Sequence, residues 1–359
     1  MQLMGNALKH SINTFGKRRK RGAAMRILLA ICLALAAAWA GYWFIGSSAV
    51  KSGVAAWFDA RANDGWTAEY SDLSVQGFPS RFDTTLTAPR LSDPAAGLGW
   101  EAPFLQLMTL SYTPNHVIAI WPNSQRLITP RRSYTLDSTD MRASLVIDAN
   151  TTLAPRRATM TATGVSITGE NAAEADALSM AALRLAGERV EGAEARYHLG
   201  FAADDLAPPA SLLALLGRSG ADAPPRVMES VIIDATADFT APFDRAAMEG
   251  TRPQPTRIDL ARATVNWGSM ALTLSGVLDI DAGGMPEGDL TLAAQGWREM
   301  LNIARASGAI TPDMANTAQQ ALTMMSGAND KLDVPLRVGQ GRIWLGPLPI
   351  APAPILRLK

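Results

Sequence analysis

The sequence has one cysteine, Cys32, and three histidines, His10, His116 and His198, among its 359 residues. A lone cysteine closes no intramolecular disulfide and builds no cysteine metal site, so any exported part must be held by its own core. His116 and His198 stand in separate strand-like segments with no carboxylate pattern near them, a poor basis for a catalytic triad or a metal centre. G-x-x-x-x-G-K-[ST], G-x-S-x-G and H-E-x-x-H are all missing, which removes the phosphate-cradling loop, the nucleophile elbow and the two-histidine zinc helix. No strict repeat is visible, so the chain is not a coded solenoid. Acidic residues are absent before Asp59.

That N-terminal region instead carries Lys9, Lys17, Arg18, Arg19, Lys20, Arg21 and Arg26. With these seven set aside from the 33 basic residues, 26 remain against 33 acidic ones, so a neutral total conceals a body of formal charge −7. From Ile27 to Val50 nothing is charged. About 20 such residues cross a ~30 Å hydrocarbon core as a helix. Basic residues on the N-terminal side keep that end in the cytoplasm, and Trp39, Tyr42, Trp43 and Phe44 at the far end suit the membrane interface. The expectation is a single-pass inner-membrane protein: residues 1–26 cytoplasmic, 27–50 the transmembrane anchor, the body periplasmic. The alternative is export followed by signal cleavage near Ala40, since Ala38-Trp39-Ala40 is a formal A-x-A site, although the apolar run continues to Ile45. Met25 offers a second translation start, which leaves Arg26 as the only basic residue ahead of the span. With the basic cluster at the membrane and an acidic body, nucleic acid is not an expected partner.

Three local motifs invite chemistry and have plainer explanations. "LAIC" at 29–32 imitates a lipobox, but Ile31 is bulky where a small residue belongs; Cys32 reads as a small membrane-facing hydrophobe. Ser48 and Lys51 match S-x-x-K, without K-T-G or S-D-N and at the membrane exit, where an interfacial lysine is ordinary. Asp279 and Asp281 open a calcium-loop pattern whose twelfth position is Leu290 instead of Glu, so this segment reads as a hairpin turn. No catalytic residue, metal ligand or cofactor is assigned, and the protein is expected not to be an enzyme.

About 310 residues follow the span, enough for one large or two ordinary domains. Short Thr-, Val-, Leu- and Ile-rich segments cut by Pro, Gly, Asp and Asn predict strands at 67–76, 80–88, 104–113, 116–121, 134–148, 157–168, 178–189, 194–202 and 228–240. In "MALTLSGVLDI" (270–280) Leu272, Leu274, Leu278 and Ile280 share one face, and "DLTLAAQGW" repeats the alternation as an antiparallel partner. Helices are predicted at 297–306 and 312–325, the second with Thr311 as N-cap and Pro312 in the first turn, and a final hairpin closes the chain. The fold class is therefore mainly β: one transmembrane helix, then an elongated antiparallel body with a few short helices. A β-rich half at 51–207 is joined by a Pro-rich helical linker at 208–225 to a second half at 226–359.

In "NHVIAIWP", Val117, Ala119 and Trp121 alternate with Ile118 and Ile120, and "SLVID" is similar. A strand apolar on both faces is either sandwiched between layers or leaves one face free for acyl chains. Val117, Ile118, Ile120 and Trp121 are the candidate groove residues. Gly77, Phe78 and Pro79 predict a tight turn with the ring against the sheet; Trp100 with Pro103 starts the next strand, and Gly341, Trp344, Gly346 and Pro347 are further fold determinants.

"VQGFPSRFDTTLTAPRL", "WEAPFLQLMTLSYTPNHVIAIWP", "MPEGDLTLAAQGW" and "VPLRVGQGRIWLGPLPIAPAP" resemble an alphaproteobacterial family, domain of unknown function 2125, and more remotely the AsmA-like envelope proteins. That resemblance spans most of the chain and implies an inner-membrane anchor, a long periplasmic β-rich body, and a part in envelope maintenance with phospholipid or another hydrophobic ligand as partner. It carries no catalytic residue. The alternative to lipid handling is an anchored scaffold recruiting an envelope protein; an enzyme assembled from scattered residues ranks third.

Overall fold

The computed structural model describes residues 5–358 apart from 174–175, 217–224, 251, 309, 327–330 and 347. Helix α1 (Gly5–Asn63) runs unbroken for 59 residues. Its Ala- and Leu-rich middle contains the strongest helix formers. It stops at Asp64-Gly65, where Gly65 takes φ +86 and the Gly65 and Trp66 N–H groups bond back to the Ala62 and Arg61 carbonyls, both at 3.0 Å.

Among the described residues twenty strands follow in a single antiparallel sheet. The first ten are halves of long strands interrupted at one level. β1 (Thr67–Glu69) leads into β2 (Asp72–Gln76), β3 (Arg81–Thr87) into β4 (Arg90–Asp93), and β5 (Leu98–Glu101) into β6 (Phe104–Leu110). In the same way β7 (Thr113–Ile120) leads into β8 (Ser124–Ile128), and β9 (Ser133–Asp137) into β10 (Asp140–Ile147). The interruptions fall at Tyr70-Ser71, Ala88-Pro89, Ala102-Pro103, Pro122 and Ser138-Thr139. Backbone bonds cross them, from Ala88 N–H to Pro103 O (2.8 Å) and from Ser138 N–H to Asn123 O (2.7 Å), so this is a bend in one sheet. β11 (Pro155–Gly169) pairs with β10 before the bend and with β9 after it, turning at Gly164, φ +57.

The meander continues in chain order through β12 (Leu178–Arg189), β13 (Arg196–Leu206), β14 (Met228–Phe239), β15 (Pro255–Trp267) and β16 (Met270–Ile280). β17 (Pro286–Gln295), β18 (Lys331–Gly339), β19 (Arg342–Leu345) and β20 (Leu348–Pro352) complete it. Short helices lie in the connections between its strands: α2 (Ala210–Leu216), α3 (Arg245–Glu249), α4 (Trp297–Ala306) and α5 (Pro312–Ser326). Thr311 Oγ1 accepts the Met314 N–H (3.3 Å), the cap expected for α5. β13 and β14 are paired from Arg196↔Asp238 to Leu206↔Met228, so the strands on either side of the Pro-rich stretch at 208–225 belong to one sheet; residues 217–224 lie outside the described ones.

Three buried clusters hold the body. Phe58 of α1 packs on Leu73 and Leu86 at one edge. Trp297, Met300, Leu301 and Leu322 of α4 and α5 cover Leu290, Leu332, Val334 and Leu336 near the other. Between them, Met141, Ala162 and Ala203 before the bend meet Val165, Met180, Leu136 and Ile167 beyond it. The sheet therefore folds over toward the face that carries both helix packs.

Candidate functional site

In an antiparallel sheet, directly opposed residues share a face, so the register traces each surface. One rung runs Leu107↔Ala119↔Ala143↔Met160↔Leu185↔Phe201↔Ile233↔Ala263↔Leu274↔Leu292↔Val334 without a polar residue. A parallel rung runs Val117↔Leu145↔Ala158↔Gly187↔Leu199↔Ala235↔Leu260↔Gly276↔Leu290↔Leu336 and is apolar throughout. At ~4.8 Å between neighbouring strands, ten steps make this face ~48 Å long.

The intervening rung points the other way and reads Ile118↔Ser144↔Thr159↔Ala186↔Gly200↔Asp234↔Arg262. That face carries the cross-strand ion pairs Arg157–Glu188 (2.6 Å), Arg184–Asp204 (2.9 Å), Arg196–Asp238 (3.6 Å) and Arg257–Asp279 (2.6 Å). Arg142 is forked on Asp140 there, and that hydrogen bond and charge hold its guanidinium above the ordinary arginine value. These pairs are exposed and screened by water, and their main effect is to keep this face wet.

The apolar face is covered at its ends and open between them. α1 covers β2, β3 and β6, and α4 with α5 covers β16 to β18. In the middle, Leu145, Leu199 and Ile233 retain 39%, 38% and 40% exposure. Large apolar side chains in such a contiguous strip mark a binding surface. A cavity lies under each cover. About 340 Å³ separates α1 (Tyr42, Gly46, Val50, Val54) from Phe82, Leu107 and Val117, and about 310 Å³ lies between α4 (Met300, Ile303) and Val265, Trp267 and Leu272. Both fall in the ~300–1,000 Å³ range of apolar ligand sites.

The sequence-predicted groove residues divide between the faces. Val117 lies on the apolar one opposite Leu145, whereas Ile118 and Ile120 lie on the polar one opposite Ser144 and Arg142. Trp121 sits at the bend against the Met141 cluster, its backbone N–H donating to Met141 O (3.1 Å). Gly77 (φ +101) lies in the β2–β3 turn, and the Phe78 ring rests on α1, 5.5 Å from Trp43 and 6.0 Å from Phe44. Trp100 is inside β5, where its indole N–H donates to Gln125 Oε1 (2.8 Å), and Pro103 is a bend residue. Gly341 (φ +72) and Gly346 (φ +57) turn the last strands and Trp344 donates to Gly339 O; Pro347 lies outside the described residues.

The polar side chains behave as follows. His116 Nε2 meets Ser144 Oγ at 2.8 Å, and His198 Nε2 meets Asp234 Oδ1 at 2.7 Å, both on the polar face. Sequence reasoning missed the second pair, because Asp234 opposes Gly200 and reaches His198 only diagonally. Ser48 and Lys51 are exposed on α1. Asp281 Oδ1 accepts the Gly283 and Met285 N–H groups (both 2.8 Å), which occupies it as a turn former.

α1 is also the one helix among the described residues long and apolar enough to be a candidate membrane span or a signal sequence. Residues Met25 to Trp39 are exposed, whereas Trp43 is 6% exposed and a Cβ on Gly46 would lie 2.6 Å from the Phe82 ring. The uncharged stretch expected to end at Val50 is thus divided, with its last eight residues lying along the sheet. Residues 43–354 match a family described as an uncharacterized protein conserved in bacteria (DUF2125). The chain belongs to this family. The match begins where α1 reaches the sheet, so the family unit is the bent sheet together with the second part of that helix. No curated protein and no solved structure matches the chain.

Proposed function

We propose that this protein is an anchored, non-enzymatic lipid-handling protein of the AsmA-like kind, serving maintenance of the bacterial envelope, with acyl chains lying along the open apolar face. The observation that carries this is the ~48 Å strip without a polar residue in its rungs, left uncovered at Leu145, Leu199 and Ile233. A folded chain buries such side chains unless something else covers them, because each Leu or Ile fully removed from water contributes ~1.5–3 kcal/mol. The basic cluster on the N-terminal side of the apolar stretch of α1 supports an inner-membrane location with the N-terminus cytoplasmic and the sheet periplasmic. The His198–Asp234 and His116–Ser144 pairs lie across the sheet from the cavities, which supports a binding role over catalysis.

A protein partner laid on the same strip is the competing occupant. The test is mass spectrometry of the organic extract of the full-length protein purified from native membranes, set against an unrelated single-span protein treated identically. Stoichiometric phospholipid above that control supports the proposal. Lipid equal to the control, with a polypeptide crosslinked at Ile233, moves the protein to the scaffold class.

A further inference from the structure

Three aromatic side chains of α1 bind the lower tips of the sheet. Trp39 Nε1 donates to Pro79 O (2.9 Å), Tyr42 Oη to Ser111 O (2.6 Å), and Trp43 Nε1 to Arg81 O (2.7 Å). Pro79 lies in the β2–β3 turn, Arg81 opens β3 directly after it, and Ser111 lies in the β6–β7 turn. Each turn also presents a large ring to solvent, Phe78 at 54% and Tyr112 at 62% exposure, beside the equally exposed Phe44 (62%) and Ile45 (73%). Rings with an apolar body and a polar tip collect at the water–hydrocarbon boundary. Because α1 is continuous, the level at which it leaves a bilayer fixes the level of both turns. From Arg21 to Tyr42 a helix rises ~32 Å, close to the ~30 Å of a hydrocarbon core, with Arg26 able to extend its head toward the basic side.

The cavity under α1 starts at this level, with Tyr42 and Pro114 at its lower lip, and reaches Val54 and Leu107, ~18 Å further along the helix. Its upper part adjoins Val117, where the open strip begins. We propose that the two strand tips bearing Phe78 and Tyr112 form a membrane-docking surface, seated in the bilayer interface from which α1 emerges, and that the cavity behind Tyr42 opens there to lipid. This rests on α1 being kept as an anchor. The occupant is the bilayer itself: the strand tips that carry the exposed rings are held to the end of the span by three hydrogen bonds to their backbone carbonyls.

The test uses the single cysteine. The full-length protein is placed in phosphatidylcholine–phosphatidylglycerol nanodiscs and a nitroxide is attached either to native Cys32 or, on a Cys32→Ala background, to Phe78→Cys, Tyr112→Cys or Ala95→Cys in the distant β4–β5 turn. Power-saturation EPR then compares collision with oxygen, which concentrates in lipid, and with a water-soluble nickel complex. The expected result is lipid-type accessibility at 32, 78 and 112 and water-type accessibility at 95. Water-type accessibility at both 78 and 112 with lipid-type accessibility at 32 overturns the docking surface and leaves the anchor standing. An intact mass beginning after Ala40, or a water-exposed label at 32, overturns the anchor and the docking surface with it. Tyr112 has no ring partner among the described residues, so its variant separates the outcome from any loss of Phe78 packing.

Discussion

An acyl-chain site on the open face predicts that replacing Leu145, Leu199 and Ile233 together by threonine weakens phospholipid binding without unfolding the sheet. Threonine is β-branched and fits a pleated strand, so the backbone keeps its preferred conformation. Each of the three side chains is 38–40% exposed, and that part is what a ligand removes from water. Taking ~1.5–3 kcal/mol for full burial of Leu or Ile, the exposed fraction corresponds to ~0.6–1.2 kcal/mol per residue and ~2–3.5 kcal/mol for the set. At ~1.4 kcal/mol per factor of ten, affinity falls ~30- to 300-fold. The assay is an equilibrium titration of the full-length protein in amphipol with a fluorescent phospholipid, beside a control that changes Ile118, Val146 and Ile232 to threonine. The control residues lie on the opposite face of the same part of the sheet. An equal loss in both triples, or none in either, refutes the placement of the ligand.

Further outcomes test the fold that builds the strip. Gly46→Leu drives its side chain into the Phe82 ring, 2.6 Å from the Cβ position, and should cost ~1–3 kcal/mol, read as a lowered urea midpoint. Trp100→Phe removes the donor to Gln125, which is 5% exposed, and an acceptor left without its bond costs ~1–3 kcal/mol by chemical denaturation. Arg157→Ala breaks an exposed pair with Glu188 and should change stability by less than ~1 kcal/mol, with no effect on lipid binding.

The regular parts of this fold were legible because their signals are local. Thr311 and Pro312 open a helix, and the alternation of Leu272, Leu274 and Leu278 defines a strand. The bend was not legible: 134–148 has one uninterrupted β pattern, yet it divides at Ser138-Thr139 because these residues pair with Asn123 and Thr163 on different limbs. β4, β5 and β8 are 4, 4 and 5 residues long, too short for a periodic signal, and β15 was hidden by Arg257, Asp259 and Arg262 and by a register shift beyond Leu260. The strip follows the same rule. "NHVIAIWP" drew attention because it is apolar on both faces, whereas the open surface is carried mainly by strands such as "MESVIIDATADF", where Ile233 faces the strip and Ile232 faces away. Only pairing across strands shows that residues far apart in sequence share one face.

Adjacent positions 232 and 233 therefore offer the most direct measurement. A photoreactive phenylalanine analogue is introduced at Ile233 or at Ile232 in the full-length protein, activated in membranes, and the adducts are identified by mass spectrometry. Lipid attached at 233 and not at 232 is the predicted result. Lipid at both positions alike, or polypeptide alone at 233, contradicts an acyl-chain groove on this face.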